Sequence, residues 1–431
     1  MGGHHHHHHG GIEKLKQYHD EAISLDSLDP LQKFKECFTL PKEPGALYFC
    51  SNSLGLPAKA ASQKLEEQLQ RWSELGARGW FEGEGNWYNS LEEPIVRPLS
   101  KILGAESNEV TLMNSLTVNL HMLLISFYRP TKMRYKILID GPAFPSDLYA
   151  IKSHLRFHKK EEGLILIEPR PGEHLVQEED FLRVIKKQGE EIALVFLNCV
   201  NFLSGQVLKV DEITRYAKEA GCCVGYDLAH AAGNIPLSLH DLGGDFAVGC
   251  SYKYLCGGPG GPGIAYVHAS HHHQQFVRFS GWWGNDPNTR FYFPKEFVPY
   301  GGASSWQVST PSILAKLPLI AALEVFEEAG MENIREKSKK QTAFLYTLLE
   351  NARGTHFDMI TPKEPELRGC QLSLRIKCSR SEEILRKLER LGITCDFRSP
   401  NILRVAPSPL YTSFYEIYRF AYTFLEVLKT I

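Results

Sequence analysis

Lys253 and Asp227 are the residues of this 431-residue sequence whose types and positions best suit catalysis. Asp227 ends an apolar run at 222–226, and Lys253 follows a second apolar run at 246–250. Both runs have the length of buried strands, and the carboxyl ends of parallel strands meet at one edge of a sheet. A lysine amine can form a Schiff base with an aldehyde, and pyridoxal phosphate needs an acidic partner for its ring nitrogen. The pair therefore predicts a pyridoxal phosphate site.

Each residue of the pair also has an ordinary structural explanation. Asp227 alone could cap a helix, and Lys253 alone could be a solvated lysine at a strand end. His230, Tyr252 and the glycine-proline loop at 257–263 accompany the pair and favour the cofactor. The loop contains the letters G-x-G-x-x-G, but it leads into an apolar strand rather than a helix, and no G-K-[ST] follows. We therefore interpret its glycines as permitting a tight turn beside the lysine.

The segment N-S-L-T at 114–117 precedes an apolar stretch and predicts the start of a helix. The unpaired N–H groups and the dipole of a helix N-terminus suit an anion such as a phosphate. An ordinary Ser or Thr cap explains the same letters equally well, so both interpretations stay open at this point.

Longer motifs resemble the kynureninase family, which consists of pyridoxal phosphate enzymes of the aspartate-aminotransferase fold type. D-L-A-H-A-A-G-N begins at Asp227, and S-Y-K-Y-L at 251–255 is followed by G-P-G-G. Further matches occur in the family's order: Y-F-C-S-N-S-L-G-L at 48–56, M-N-S-L-T-V-N-L-H at 113–121, F-P-S-D at 144–147, G-W-W-G at 281–284 and R-V-A-P at 404–407. This ordered set spans nearly the whole chain and is far more specific than any of its parts.

The resemblance implies an α/β protein of the pyridoxal-phosphate-dependent transferase fold type I, similar to class V aminotransferases. We expect an expression tag at 1–11, which contains six consecutive histidines, and an N-terminal segment at 12–75 that packs with the small domain. A large, mainly parallel-sheet cofactor domain is expected at 76–315, and a smaller α/β C-terminal domain at 316–431. The alternation of strand and helix patterns supports the parallel sheet independently.

Helix patterns are also predicted outside the cofactor motifs. Residues 310–351 are predicted to be largely helical with a break near Gly330. Two capping boxes, Ser379 with Glu382 and Ser413 with Glu416, predict the starts of two C-terminal helices. The apolar stripe of the last helix, which recurs at helical spacing, is expected in the core.

The resemblance also implies roles for individual residues at the cofactor. Leu116 and Thr117 hold the phosphate together with Tyr252, while Trp282 and Thr310 reach it from a second subunit. The other expected cofactor contacts are Phe144, which stacks on the ring, Pro145, Ser146, Asp147, Asn198, Asp227 and His230. Asn198 stands where the family has a small hydroxyl residue.

The implied reaction is hydrolysis of L-kynurenine to anthranilate and L-alanine, in tryptophan catabolism and NAD biosynthesis. Lys253 serves as the base at the α-carbon, Asp227 keeps the cofactor ring protonated, and Tyr252 is the proton donor near the departing group. Arg404 is expected to bind the substrate carboxylate, because its planar fork matches two oxygens. The remaining expected substrate contacts are Asn52, Phe81 and Trp282. Phe81 and Thr310 resemble the bacterial members that prefer kynurenine, and 3-hydroxykynurenine stays a second possible substrate.

Composition and charge exclude some classes of binding partner. The formal net charge of -2 gives no basic footprint for nucleic acid. No apolar run approaches the roughly 18–20 residues that span a bilayer, and no signal sequence follows the tag, so we expect a cytoplasmic protein. The family resemblance implies that it is a homodimer. The spacing of the ten cysteines indicates buried thiols rather than a metal site, and no metal is expected.

Two alternative functions remain. A cysteine desulfurase or another class V enzyme would share the Asp, His and Lys, but it would need an exposed nucleophilic cysteine on a loop. A cofactor-binding regulator would normally add a basic DNA-binding segment, which this sequence lacks.

Overall fold

The computed structural model describes residues 12–350, 352–353 and 355–431. The predicted tag at 1–11 lies outside these residues. The described residues divide into two compact units: a small unit formed by residues within 12–59, 202–207 and 325–431, and a large unit formed by 60–201 and 208–324. The expected N-terminal segment at 12–75 is thus divided after Lys59.

The helices and strands of the described residues have the following bounds. The helices are α1 Tyr18–Ser27, α2 Ala60–Leu75, α3 Glu93–Leu103, α4 Leu116–Phe127, α5 Pro145–Phe157, α6 Glu178–Gln188, α7 Val210–Glu219, α8 Leu239–Leu242, α9 Lys316–Ala329, α10 Met331–Glu350, α11 Ser381–Arg390 and α12 Phe414–Lys429. The strands are β1 Leu47–Tyr48, β2 Val110–Leu112, β3 Lys136–Asp140, β4 Leu164–Ile167, β5 Ile192–Asn198, β6 Cys223–Asp227, β7 Phe246–Cys250, β8 Gly263–Val267, β9 Phe357–Met359, β10 Leu372–Ile376, β11 Ile393–Thr394, β12 Asp396–Arg398 and β13 Ile402–Val405.

The large unit is organised on a seven-stranded sheet with the order β2-β8-β7-β6-β5-β3-β4. Five of the strands, β3 to β7, pair in parallel, whereas β8 runs antiparallel to both of its neighbours. The predicted α/β fold with a mainly parallel sheet is confirmed. Because the strands run the same way, the carboxyl ends of β3, β5 and β6 meet at one edge.

Aromatic packing holds this sheet against α4. The ring of Phe246 stacks between those of Phe127 and Phe196, with centroid distances of 5.2 and 6.1 Å. Gly225 on the neighbouring strand leaves the necessary space, because a Cβ there would lie 2.3 Å from the Phe246 ring. Burying one such ring contributes about 1.5–3 kcal/mol, so this stack fixes the strands that carry the chemistry.

The small unit contains a four-stranded antiparallel sheet, β12-β13-β10-β9, and the parallel pair β1-β11. The apolar stripe of α12 is buried, as predicted, with Phe420 and Phe424 against Phe49 and Phe357 at 5.0 and 5.3 Å. The predicted capping box of Ser413 with Glu416 is confirmed.

Two of the helix predictions need correction. The box of Ser379 with Glu382 is wrong: α11 begins at Ser381, its N-cap residue is Arg380, and no side chain caps it. The expected long helical region contains α9 and α10 on either side of Gly330, but residues 310–315 lie before α9, and Asn351 is outside the described residues. Within the described residues, no helix combines the length and apolar character needed to cross a bilayer.

Candidate active site

Polar side chains gather at the carboxyl ends of β3, β5 and β6. Asn198 and Asp227, the last residues of β5 and β6, are paired in register, so they lie side by side. Asp140, which ends β3, accepts hydrogen bonds from both the backbone N–H and the side-chain amide of Asn198. The edge therefore presents an amide between two carboxyl groups, of which the sequence had singled out only Asp227.

Asp227 and Asp147 are both buried at this edge. One oxygen of Asp227 accepts the Ala229 N–H at 2.8 Å. Neither carboxyl oxygen of Asp147 has a hydrogen-bond partner among the described residues. Burial raises the pKa of Asp147, and the nearby charge of Asp227 raises it further. A buried carboxyl group without partners costs stability, so this region suits a group that brings its own hydrogen-bond donors.

Lys253 follows β7 and has no ion-pair partner within the described part of the chain. Its Nζ lies 3.3 Å from the hydroxyl of Tyr252 and 3.8 Å from the thiol of Cys250. Burial lowers the pKa of Lys253, but Cys250, Tyr252 and Asp227 outweigh this effect and leave the pKa above its ordinary value. The amine is therefore held beside two groups that can exchange a proton with it.

The loop after Lys253 makes the tight turn that its glycines predicted. The N–H of Gly257 donates to the carbonyl of Ser251 at 2.7 Å, and a Cβ on Gly257 would lie 2.6 Å from that oxygen. Gly258 and Gly260 have φ values of 83° and 78°, which side chains disfavour. The loop then enters β8 rather than a helix, which contradicts a dinucleotide-binding loop.

Two helix N-termini lie together in the large unit. Thr117 in the first turn of α4 and Ser146 in the first turn of α5 have their hydroxyl oxygens 2.7 Å apart. The N-cap residues Ser115 and Phe144 form no side-chain cap, so they leave the first-turn N–H groups available. One hydroxyl must donate to the other, which leaves one O–H proton free. This donor set and both helix dipoles fit a phosphate.

An exposed group of aromatic rings, here called the aromatic shelf, contains two of the predicted site residues. The shelf consists of Phe81, Trp282, Phe291, Tyr292 and Phe293, all of which are exposed. Phe291 contacts Trp282 and Phe81 with centroid distances of 5.8 and 5.9 Å. Large apolar groups are seldom exposed together unless they bind something. Phe144 is also exposed, and Thr310 is partly exposed.

The two remaining predicted residues, Asn52 and Arg404, belong to the small unit. Arg404 is only 1% exposed, forms an ion pair with Asp396 and donates to the Phe202 carbonyl at 2.7 Å. Asn52 is fully buried and donates to Gln371 at 3.1 Å. Its side-chain oxygen has no partner among the described residues, so it is available to a donor.

Sequence reasoning missed three of the groups described above. Asp140 gave the same signal as Asp227, a carboxylate directly after a buried strand. Asp396 faces Arg404 across the β12-β13 pair, but that register depends on a hairpin that the sequence pattern did not reveal. Cys250 looked like any small apolar residue in a strand.

The cysteines bear on the alternative function. All ten lie in the described part of the chain, where seven are buried and three, Cys37, Cys223 and Cys378, are partly exposed. None is fully exposed, so the structure offers no thiol like the loop nucleophile of a cysteine desulfurase.

Comparisons with known proteins place these features in context. The family model described as the kynureninase C-terminal domain matches residues 334–424. A kynureninase from Myxococcus xanthus (strain DK1622) is 44% identical over 408 residues, which cover 93% of this chain and 95% of that protein. The kynureninase of Koribacter versatilis (strain Ellin345) is 43% identical and covers 95% and 97%. The human kynureninase is 40% identical and covers 95% and 93%.

Solved structures show the same fold at low sequence identity. The cysteine desulfurase of Thermococcus onnurineus NA1 has a TM-score of 0.75 and 17% identity, covering 93% of this chain and 98% of its own. A variant of C-DES with glycine covalently linked to its pyridoxal phosphate cofactor has a TM-score of 0.74 and 18% identity, covering 90% and 100%. At these identities the likeness establishes the fold alone.

Proposed function

This chain belongs to the kynureninase family, and we propose that it hydrolyses the Cβ–Cγ bond of L-kynurenine to give anthranilate and L-alanine. It is a carbon–carbon bond hydrolase with pyridoxal phosphate as its cofactor. One structural observation supports the assignment most strongly. Lys253, which has no ion pair among the described residues, follows β7 in the same sheet whose edge presents the buried carboxyl group of Asp227.

The residues at the sheet edge fit the cofactor. We propose that Thr117, Ser146 and the first turns of α4 and α5 hold the phosphate, helped by Leu116 and Tyr252. Asp227 would serve the ring nitrogen, Phe144 would cover the ring, and Asp147, His230 and Asn198 would be its other neighbours. When bound, pyridoxal phosphate supplies an electron sink that stabilises negative charge on substrate carbons near the amino group.

Lys253 and Tyr252 carry the proton transfers in this proposal. Lys253 removes the proton from the substrate α-carbon, and its amine lies 3.3 Å from the Tyr252 hydroxyl, with which it can exchange a proton. Tyr252 then supplies a proton where the carbon–carbon bond has broken. Asp227 would be the acidic partner of the ring nitrogen.

Arg404 and Asn52 are the candidates for binding the substrate carboxylate. We propose that Arg404 binds the carboxylate with its planar fork and that Asn52 assists by donating the Nδ2 hydrogen that Gln371 does not use. One N–H group of the Arg404 guanidinium already forms an ion pair with Asp396, and this ion pair fixes the orientation of the guanidinium plane. Phe81 and Trp282 enclose the aryl ring, and together with Thr310 they favour kynurenine over 3-hydroxykynurenine.

The aromatic shelf supports a homodimer. Trp282 is 44% exposed and Tyr292 is 84% exposed, which is costly in an isolated chain but expected at a subunit interface. We propose that the shelf packs on a second copy and that Trp282 and Thr310 complete the phosphate site of that copy. The enzyme would then act as a cytoplasmic homodimer in tryptophan catabolism, upstream of NAD biosynthesis.

Replacement of Lys253 tests the proposed reaction. Lys253→Ala should abolish anthranilate formation from kynurenine. Borohydride treatment should attach a pyridoxyl label to Lys253 of the native enzyme and leave the variant without a label at position 253. The matched control is Lys136→Ala, because Lys136 is a half-buried lysine at the opposite end of β3, bonded to Gln188. Full activity of Lys253→Ala, or a label elsewhere in the native enzyme, would contradict the proposal.

Subunit mixing tests the proposed dimer. If Trp282 acts on the partner's site, a dimer of Lys253→Ala and Trp282→Ala subunits contains one site with both native residues. Mixing the two poorly active variants should then restore anthranilate formation. Failure to recover activity, although sedimentation shows mixed dimers, would refute the exchange of Trp282 between subunits.

A further inference from the structure

We propose that Asp140 is a positioning residue that holds the amide of Asn198 toward the cofactor ring. This inference rests on the proposed cofactor site. It concerns a buried carboxyl group to which the reaction assigns no role.

The geometry makes Asp140 a clamp on Asn198. Asp140 is 2% exposed, and its Oδ1 accepts the Asn198 backbone N–H at 2.8 Å and the side-chain Nδ2–H at 3.3 Å. One oxygen thus binds the main chain and the side chain of the same residue. Since the backbone of β5 is itself fixed by its neighbours, this contact selects one orientation of the amide.

Asn198 is more accessible to a ligand than its two neighbours at this edge. It is partly exposed, whereas Asp140 and Asp227 on either side are buried. Asn198 donates one Nδ2 hydrogen to Asp140, so its second Nδ2 hydrogen and its Oδ1 can bind a ligand. Asparagine is also longer than the small hydroxyl residue expected here, so its amide needs an external anchor.

The charge of Asp140 is compatible with this role. Burial raises the pKa of Asp140 to about 7, against the hydrogen bonds from Asn198, and the charge of Asp227 contributes to the rise. A carboxyl group accepts the Asn198 N–H groups in either protonation state, because a protonated acid keeps acceptor capacity. Asp140 therefore acts through the hydrogen bonds, and Asp227 supplies the negative charge at the ring.

Equilibrium binding of pyridoxal phosphate to the full-length apoprotein tests the inference. Asp140→Ala should raise the dissociation constant about tenfold, the effect of one lost hydrogen bond, and should alter the visible absorbance of the bound cofactor. Asp140→Asn keeps an acceptor and should stay within about threefold of the native protein. Asn198→Ala should match Asp140→Ala, and the double variant should be no weaker than either single variant, because one contact is removed once.

The matched control is Asp245→Ala. Asp245 is equally buried and accepts the Val224 N–H at 2.7 Å, but it precedes β7, whereas Asp140 ends β3. The control should lower thermal stability without changing cofactor affinity. Additive losses in the double variant, native affinity in Asp140→Ala, or an equal loss in Asp245→Ala would overturn the inference. If the native protein itself bound no pyridoxal phosphate, the proposed cofactor site would fail first.

Discussion

Thr117→Val isolates the phosphate site, because valine keeps the shape of threonine and removes only the hydroxyl group. In the structure this hydroxyl contacts Ser146 at 2.7 Å across two helix N-termini. If Thr117 binds the phosphate as proposed, the substitution removes one hydrogen bond to a charged group while the backbone N–H groups of α4 remain.

A hydrogen bond to a charged partner contributes about 1.5–3 kcal/mol, which corresponds to about a 10- to 150-fold change in a dissociation constant. We expect Thr117→Val to weaken pyridoxal phosphate binding by this factor. Unphosphorylated pyridoxal cannot use the site, so its affinity should stay the same. The assay is an equilibrium titration of apoprotein with each ligand, followed by visible absorbance.

The matched control is Thr214→Val. Thr214 is a buried threonine on α7, and its hydroxyl oxygen lies 2.6 Å from that of Tyr226. This variant should lose stability but bind both ligands normally. The reasoning would be refuted if Thr117→Val weakened pyridoxal and pyridoxal phosphate equally, since the hydroxyl would then not act on the phosphate.

Two further predictions concern the turn beside Lys253 and an ion pair away from the site. Gly257→Ala places a Cβ 2.6 Å from the Ser251 carbonyl, so it should cost about 1–3 kcal/mol in unfolding experiments and lower cofactor occupancy. Gly249→Ala, with its nearest atom at 3.4 Å, should cost less, and equal losses would contradict the steric argument. Glu109, through its hydrogen bond with His240, raises the pKa of His240, so this contribution to stability is complete below the ordinary pKa of about 6.5 and is lost as pH rises through the raised value. We expect the melting temperature of the native protein to fall more between pH 6 and pH 8 than that of His240→Gln. An equal fall in both proteins would show that His240 does not cause the pH dependence.

The large-unit sheet was predictable because its strands are uninterrupted apolar runs bounded by polar residues. β7 has the predicted bounds, and β6 is displaced by one residue. Asp227 was found because a charged residue directly after a buried run has to lie at the sheet edge, and Lys253 was found because it follows Cys250, the end of its run, after only Ser251 and Tyr252. Asp140 obeyed the rule too, and only the absence of a neighbouring motif kept it from notice.

Features that depend on long-range packing were not predictable from local pattern. Thr117 and Ser146 bring the N-termini of α4 and α5 together, and no local pattern in either helix predicts this contact. Similarly, the burial of Arg404 beside Asp396 arises from a strand pairing rather than from the residues around Arg404. The start of α11 was misplaced because Ser379 offers a plausible cap that the backbone does not use.

The discontinuity of the small unit has a consequence for the order of folding during synthesis. Phe202 and Ser204 belong to the small unit, although the ribosome makes them between two strands of the large sheet, and they bind Gln371 and Thr361. A nascent chain that ends before residue 325 contains every strand of the large sheet, but it lacks the Gln371 and Thr361 side chains that bind Phe202 and Ser204. Premature termination in the last hundred or so residues should therefore yield a folded half with exposed polar backbone, which quality-control proteases would recognise.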